Sequence, residues 1–174
     1  MKLIWLLCAS LAVAVPACGR DFEQYRPLRA GDPAPAFAAR VLGGDTLRLA
    51  DLRGDAIMLN VWATWCPPCR EEMPGLQLLH ESYGGRGLHV IGVSVDSRGA
   101  ESAIREFAAD HGITFTILHD PGELVGRQFR ITGVPETFLI DATGTIAFRW
   151  IGRFEPEAQD VLDRIEAVLP RANP

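Results

Sequence analysis

"WATWCPPCREEMP", residues 62–74, holds two cysteines, Cys66 and Cys69, with only Pro67 and Pro68 between them. The run "AIMLNVWA", residues 56–63, leads into it and is apolar almost throughout, the pattern of a strand buried on both faces of an α/β sheet. Beyond it, Leu76, Leu79 and Tyr83 recur at helical spacing until "GGRG", so a helix is expected from the cysteines to about Tyr83. The pair therefore stands where a buried strand gives way to a helix.

The same two periods continue outward. "LHVIGVSVD", residues 88–96, reads as a second buried strand. Residues 101–112 read as an amphipathic helix with Ile104, Phe107, Ala108 and His111 on one face, closed by Gly112. "ITFTILHD" follows as a strand and "GELVGRQF" as a short helix. "ETFLID" and "TIAFRWIG" flank the turn "ATG" as an antiparallel hairpin. Residues 156–169 close the chain as a helix with Pro156 in its first turn and Val161, Leu162, Ile165, Val168 and Leu169 toward the core. Upstream, short apolar runs around "GGD", residues 43–45, form an N-terminal β-hairpin. The fold class is α/β: a central mixed β-sheet flanked by helices on both faces.

Of the 174 residues, 48% are hydrophobic and 22% charged, which is the composition of a folded chain with a real core. The net charge is −5, Lys2 is the only lysine and no basic run occurs, so nucleic acid is not among the expected partners.

The first nineteen residues carry one cation, Lys2, then an apolar run over residues 3–15, then small residues: a secretory signal layout. The run is shorter than the roughly 18 to 20 apolar residues of a spanning helix. "VPAC", residues 15–18, resembles the lipobox of bacterial lipoproteins, in which Cys18 would be lipidated and become the mature N-terminus, although Pro16 fits that box poorly. The other reading is an ordinary leader cut after Ala14. The expected organisation is a leader over residues 1–17, a linker over 18–30, one domain over 31–170 and a tail over 171–174. The expected location is extracytoplasmic, with the membrane reached through Cys18.

Cys8 and Cys18 belong to the leader, so the domain owns only Cys66 and Cys69. A zinc site needs four ligands, and His80, His89, His111 and His119 stand at no metal spacing, each reading as a surface or helix-face residue; no metal is expected. As a staple, a bond across two residues would restrain almost nothing. Redox chemistry fits better: positions i and i+3 at a helix start lie about 5 to 6 Å apart, within disulfide range. The positive end of the helix dipole would stabilise a Cys66 thiolate. Cys66 is then the nucleophile, and Cys69, one turn inside, resolves the mixed disulfide. Pro67 and Pro68 have no N–H to offer, so the Cys66 pKa should be depressed less than in a loop of other residues, and Pro67→Gly should lower it.

"NVWATWCPPCREEMP", "GVPETFLID" and "GTIAFRWIG" resemble the thioredoxin superfamily, in particular the TlpA-like, cytochrome c maturation-type thiol:disulfide oxidoreductases of the redoxin family. The resemblance spans about residues 31–169 and includes "GDPAPAF" and a helix-strand insert between Val95 and Ile131. It implies a thioredoxin fold, a redox-active Cys66–Cys69 disulfide with no other cofactor, and a substrate groove at Trp65, Val134 and Pro135. Pro135 would be cis, the alternative being a trans loop proline, and the backbone of Val134 would pair with an extended substrate.

Where thioredoxin has a buried aspartate this chain has Asn60, which cannot take a proton from Cys69. Glu72, one turn beyond Cys69, and Glu136, in "PETF", are the candidates. Glu72 also reads as a solvated helix face, and Glu136 is the better placed of the two in sequence. Implied partners are protein thiols and disulfides of exported proteins, among them apocytochrome c, and a membrane electron donor, with the domain a monomer. The rival readings are a thiol peroxidase and a chaperone-like binding domain. The first lacks a Pro-x3-Thr-x2-Cys environment, Thr64 standing two residues before Cys66, and the second would leave the disulfide idle.

Overall fold

The computed structural model describes residues 26–170. The expected leader, Cys18 with its lipidation, most of the linker and the tail lie outside the described residues. In chain order the strands are β1 (Ala38–Val41), β2 (Thr46–Arg48), β3 (Ala56–Trp62), β4 (Leu88–Ser94), β5 (Thr116–His119), β6 (Glu136–Ile140) and β7 (Ile146–Ile151). The helices are α1 (Pro67–Tyr83), α2 (Glu101–Asp110), α3 (Leu124–Phe129) and α4 (Gln159–Val168).

The strands form one sheet in the order β2-β1-β5-β4-β3-β6-β7. Strand β3 is buried at every residue because it has a parallel neighbour on one side, β4, and an antiparallel one on the other, β6. Its alternation sorts the two cores. Ala56, Met58 and Trp62 pack with α1, α2 and α4, whereas Ile57, Leu59 and Val61 pack with α3 on the opposite face. Helices thus cover both faces of a mixed sheet, as expected, three on one side and one on the other.

Two glycines are required by close approach. A β-carbon at Gly92 would lie 2.9 Å from Trp62 Nε1, so β4 leaves room for the buried indole. At Gly75 it would lie 2.9 Å from Cγ of Pro156, so α1 and the segment before α4 pack backbone to ring. That contact explains a first correction. Pro156 does not open the last helix; it sits in a turn docked on α1, and α4 starts at Gln159 with no side-chain cap on its N-cap residue, Ala158.

A second correction concerns the linker. Leu28 is buried in the α3-side core, Arg26 pairs with Asp32 at 2.5 Å, and Arg149 Nη1 donates to the Leu28 carbonyl at 2.8 Å. The domain therefore includes at least residues 26–30. The histidines also depart from a uniform surface reading. His119 is buried in β5, while His111 lies outside the core, stacked on Phe107.

Candidate active site

Cys66 is the N-cap of α1, with extended backbone at φ −95°, and Pro67, Pro68 and Cys69 fill the first three helical positions. Proline suits the first of these, where an N–H would be unpaired in any case. Cys66 and Cys69 form a disulfide with their Cα atoms 5.3 Å apart. The Cys69 N–H donates to Cys66 Sγ at 3.3 Å, the bond an N-cap side chain ordinarily takes from the third helical residue. The second helical residue is the other usual donor, and it is Pro68. The donor that the thiolate lacks is thus that of Pro68 rather than of Pro67. Only a sliver of Cys66 reaches solvent and Cys69 is fully covered.

Trp65 is 66% exposed. With Val61, Val95, Ile131, Thr132, Gly133 and Val134 it lines an open groove of about 270 Å³. The Val134–Pro135 peptide bond is cis. The structure thereby brings Trp65 and Val134 together on one largely apolar surface, beside the turn that carries Cys66.

Behind the pair lies a buried polar group. Asn60 is fully buried in β3, and its Nδ2 donates to Glu72 Oε1 at 2.6 Å and to Thr137 Oγ1 at 2.9 Å. Glu72 is buried on the inner side of α1, not on a solvated face. The Phe154 N–H reaches its Oε2 at 3.4 Å. Burial pushes the Glu72 carboxyl up to about 7, against the hydrogen bonds from Asn60 and Phe154 and the charge of Arg153. An amide can serve either form of this carboxyl, giving Nδ2–H to a carboxylate or Oδ1 to an acid O–H. Here it gives Nδ2–H, and Asn60 Oδ1 has no partner.

Glu136 is placed differently. Along β6, Thr137 and Leu139 face α1, whereas Phe138 and Ile140 face α3, and Glu136 shares the α3 side. Cys69 packs in the core of the other face. Glu136 is also engaged: Arg149 Nε and Nη2 both stand 2.5 Å from its Oε1, and the Thr132 N–H reaches its Oε2 at 3.3 Å. Of the two candidates, the structure places Glu72, not Glu136, on the Cys69 side of the sheet. Thr137, Arg149 and Arg153 were not singled out in sequence. Only the register of β6 against β3 would have placed Thr137 beside Asn60.

Among the described residues no group of three or more His, Cys, Asp or Glu side chains is arranged to hold a metal ion. No helix among them is long and apolar enough to cross a membrane. What the site contains is a dithiol couple at a helix start, an apolar groove beside it and a buried carboxyl that ionises near neutrality. These are the parts thiol–disulfide exchange with a protein chain calls for.

Residues 30–149 match the AhpC/TSA family. The thiol-disulfide oxidoreductase ResA of Oceanobacillus iheyensis is 33% identical over 97% of this chain and 84% of its own length. Among solved structures, a Chlorobium tepidum protein described as thiol:disulfide interchange protein DsbE superposes with a TM-score of 0.74 at 30% identity, over 81% of this chain and 98% of that one. A secreted Mycobacterium tuberculosis disulfide oxidoreductase homologous to DsbE of E. coli gives 0.65 at 25% identity, over 76% and 96%. The architecture they share with this chain is thioredoxin-like.

Proposed function

This chain belongs to the AhpC/TSA family, and we propose that within it the protein is an exported reductant of protein disulfides, worked by the Cys66–Cys69 couple. Thiol-disulfide oxidoreductase is its enzyme class. The observation that carries the reading is the position of the disulfide. Cys66 caps α1 with one backbone donor on its sulfur, beside the groove of Trp65 and Val134.

In the reductive half-cycle the Cys66 thiolate attacks one sulfur of a substrate disulfide and the other sulfur leaves as a thiolate that takes up a proton. Cys69 then gives up its proton and attacks Cys66 Sγ, closing the observed disulfide and releasing the second substrate sulfur as thiol. Two electrons and two protons pass to the substrate. A dithiol donor at the membrane restores the couple by the same exchange in reverse.

Glu72 is the acceptor for the Cys69 proton. It stands one turn along the same helix, on the same face of the sheet, with a midpoint near the working pH. The groove at Trp65 and Val134 takes an extended segment of the substrate, paired to the Val134 backbone. An exported life fits the leader-like N-terminus and the secreted relative, and lipidated Cys18 would hold the domain at the membrane. Apocytochrome c, whose haem-attachment cysteines must be reduced, is the narrower substrate, supported by "PETF" and by the similarity to ResA and DsbE.

Cys69→Ser tests the mechanism. It should accumulate mixed disulfides through Cys66, visible as adducts on non-reducing gels of the extracytoplasmic fraction, whereas Cys66→Ser should form none. Adducts through neither cysteine would overturn it. Cells lacking the protein should lose haem-staining c-type cytochromes and regain them with an added thiol reductant. Unaffected cytochromes would exclude the narrower substrate.

A further inference from the structure

The turn that presents Cys66 is tied down from the far side by a carboxylate the exchange chemistry does not use. Asp96, just past the end of β4, is 3% exposed. Its Oδ1 accepts the Thr64 hydroxyl at 2.6 Å, and its Oδ2 accepts the Thr64 N–H at 3.0 Å and the Ser94 hydroxyl at 2.8 Å. All three partners are donors, and no cation pairs with the carboxylate among the described residues. Its own N–H returns to Ser94 Oγ at 3.2 Å, and its carbonyl meets His119 Nε2 at 3.0 Å. Thr64 stands two residues before Cys66, and the Cys66 N–H is bonded to the Ala63 carbonyl at 3.2 Å. Turn 63–66 is therefore closed on itself and anchored to β4 through one side chain.

From this geometry we propose that Asp96 is a positioning residue for the attacking thiol: through Thr64 it fixes the turn that carries Trp65 and Cys66, and it puts a carboxylate without a cationic partner on the segment that leads to the sulfur. The proposal rests on Cys66 being the attacking thiol. A buried carboxylate with three donors and no cation is costly to keep, and mere closure of the turn would be met by an uncharged acceptor. Held on Thr64, two residues before Cys66, the carboxylate has a consequence for chemistry: an anion on that segment disfavours the Cys66 thiolate, and a less stabilised thiolate makes the couple more reducing. That is the direction a reductant needs. The other ionisable groups around this region include His119 at the Asp96 carbonyl, Glu101 at 3.4 Å from His119 Nδ1, Asp120 with its N–H on the Ser94 carbonyl, Glu123 in the groove with Trp65 and Val95, Glu72 within α1 and Arg70 over the Phe107 ring. None of them forms an ion pair with the Asp96 carboxylate.

Two substitutions separate charge from anchoring. Asp96→Asn keeps an acceptor for Thr64 and removes the charge; the Cys66 thiol should then titrate about one pH unit lower, and the equilibrium with glutathione should move about tenfold toward the disulfide-oxidant side, or about 30 mV. Thr64→Val keeps the charge and releases the anchor; attack on a small aromatic disulfide, corrected for thiolate fraction, should slow about tenfold, with Thr64→Ser restoring it. A role in folding alone would lower the melting temperature of each variant and leave both readouts at the parent values. A folded Asp96→Asn with the parent thiol midpoint, or a Thr64→Val that attacks at the parent rate, overturns the proposal. If Asp96→Asn does not fold, the Thr64 pair decides. Alkylation of the reduced parent protein identifies the more reactive cysteine independently. Labelling of Cys69 first would mean that the premise, rather than the anchor, has failed.

Discussion

Glu72 concentrates the chemistry at the scale of single residues, and its linkage to folding has a definite sign. In the unfolded chain its carboxyl loses a proton near 4.5; in the fold it holds the proton to about 7. Between those values the unfolded state binds fewer protons, so stability falls as pH rises from about 4.5 to about 7 and then levels, by about 3 kcal/mol in all. Glu72→Gln should abolish that slope and be more stable than the parent at pH 8, as read from urea unfolding of the oxidised protein at pH 5 and 8. The same variant should lose the rise in mixed-disulfide resolution through pH 7; an unchanged profile would leave water as the proton acceptor. At the cap, Pro68→Ala supplies the missing second donor and should lower the Cys66 thiol midpoint by roughly half a pH unit to one, with Pro67→Gly moving it less. Thiol titration giving the reverse order would show that the capping geometry is not what sets the thiolate. The couple itself was legible in the sequence because spacing and the absence of other domain cysteines sufficed. The burial of Glu72 was not. In "REE", residues 70–72, nothing marks the third residue as inward, since its partners arrive from Thr137 by way of Asn60 and from Phe154, 82 positions on.

At the scale of elements, α1 is held by what packs on its waist. Gly75→Ala would ordinarily gain up to about 1 kcal/mol of helix propensity. Here the new β-carbon meets the rigid Pro156 ring at 2.9 to 3.1 Å, and overpacking costs about 1 to 3 kcal/mol, so a net loss is expected, recovered in part by Pro156→Ala. A thermal melt of the single and double variants checks it. The Glu136–Arg149 pair joins β6 to β7 and, through the Leu28 carbonyl, to the N-terminal segment. Glu136→Ala strands a buried guanidinium and should cost about 3 to 5 kcal/mol, while leaving the pH dependence of mixed-disulfide resolution as in the parent. A changed profile would return Glu136 to the proton path. Both the face of Glu136 and the role of Pro156 escaped sequence reading for physical reasons. Every residue of β6 is buried, so "ETFLI" has no polar alternation to reveal its faces. A proline before an amphipathic run looks the same whether it opens the helix or docks in the turn before it.

Across the whole molecule the continuous apolar runs of β3 and β4 announced a buried α/β sheet, and the hairpin of β6 and β7 was readable from its turn. What depended on packing over long range, such as the inclusion of Leu28 and the burial of His119, was not. The fold places a redox pair, a groove and an internal carboxyl at one end of the sheet, and what they do together turns on one quantity, the reduction potential of the Cys66–Cys69 couple. Equilibration with glutathione or dithiothreitol of known ratio, followed by alkylation and mass analysis, gives it directly. An exported reductant predicts a value near the roughly −270 mV of thioredoxin; a value near the roughly −120 mV of a strong disulfide donor would contradict it.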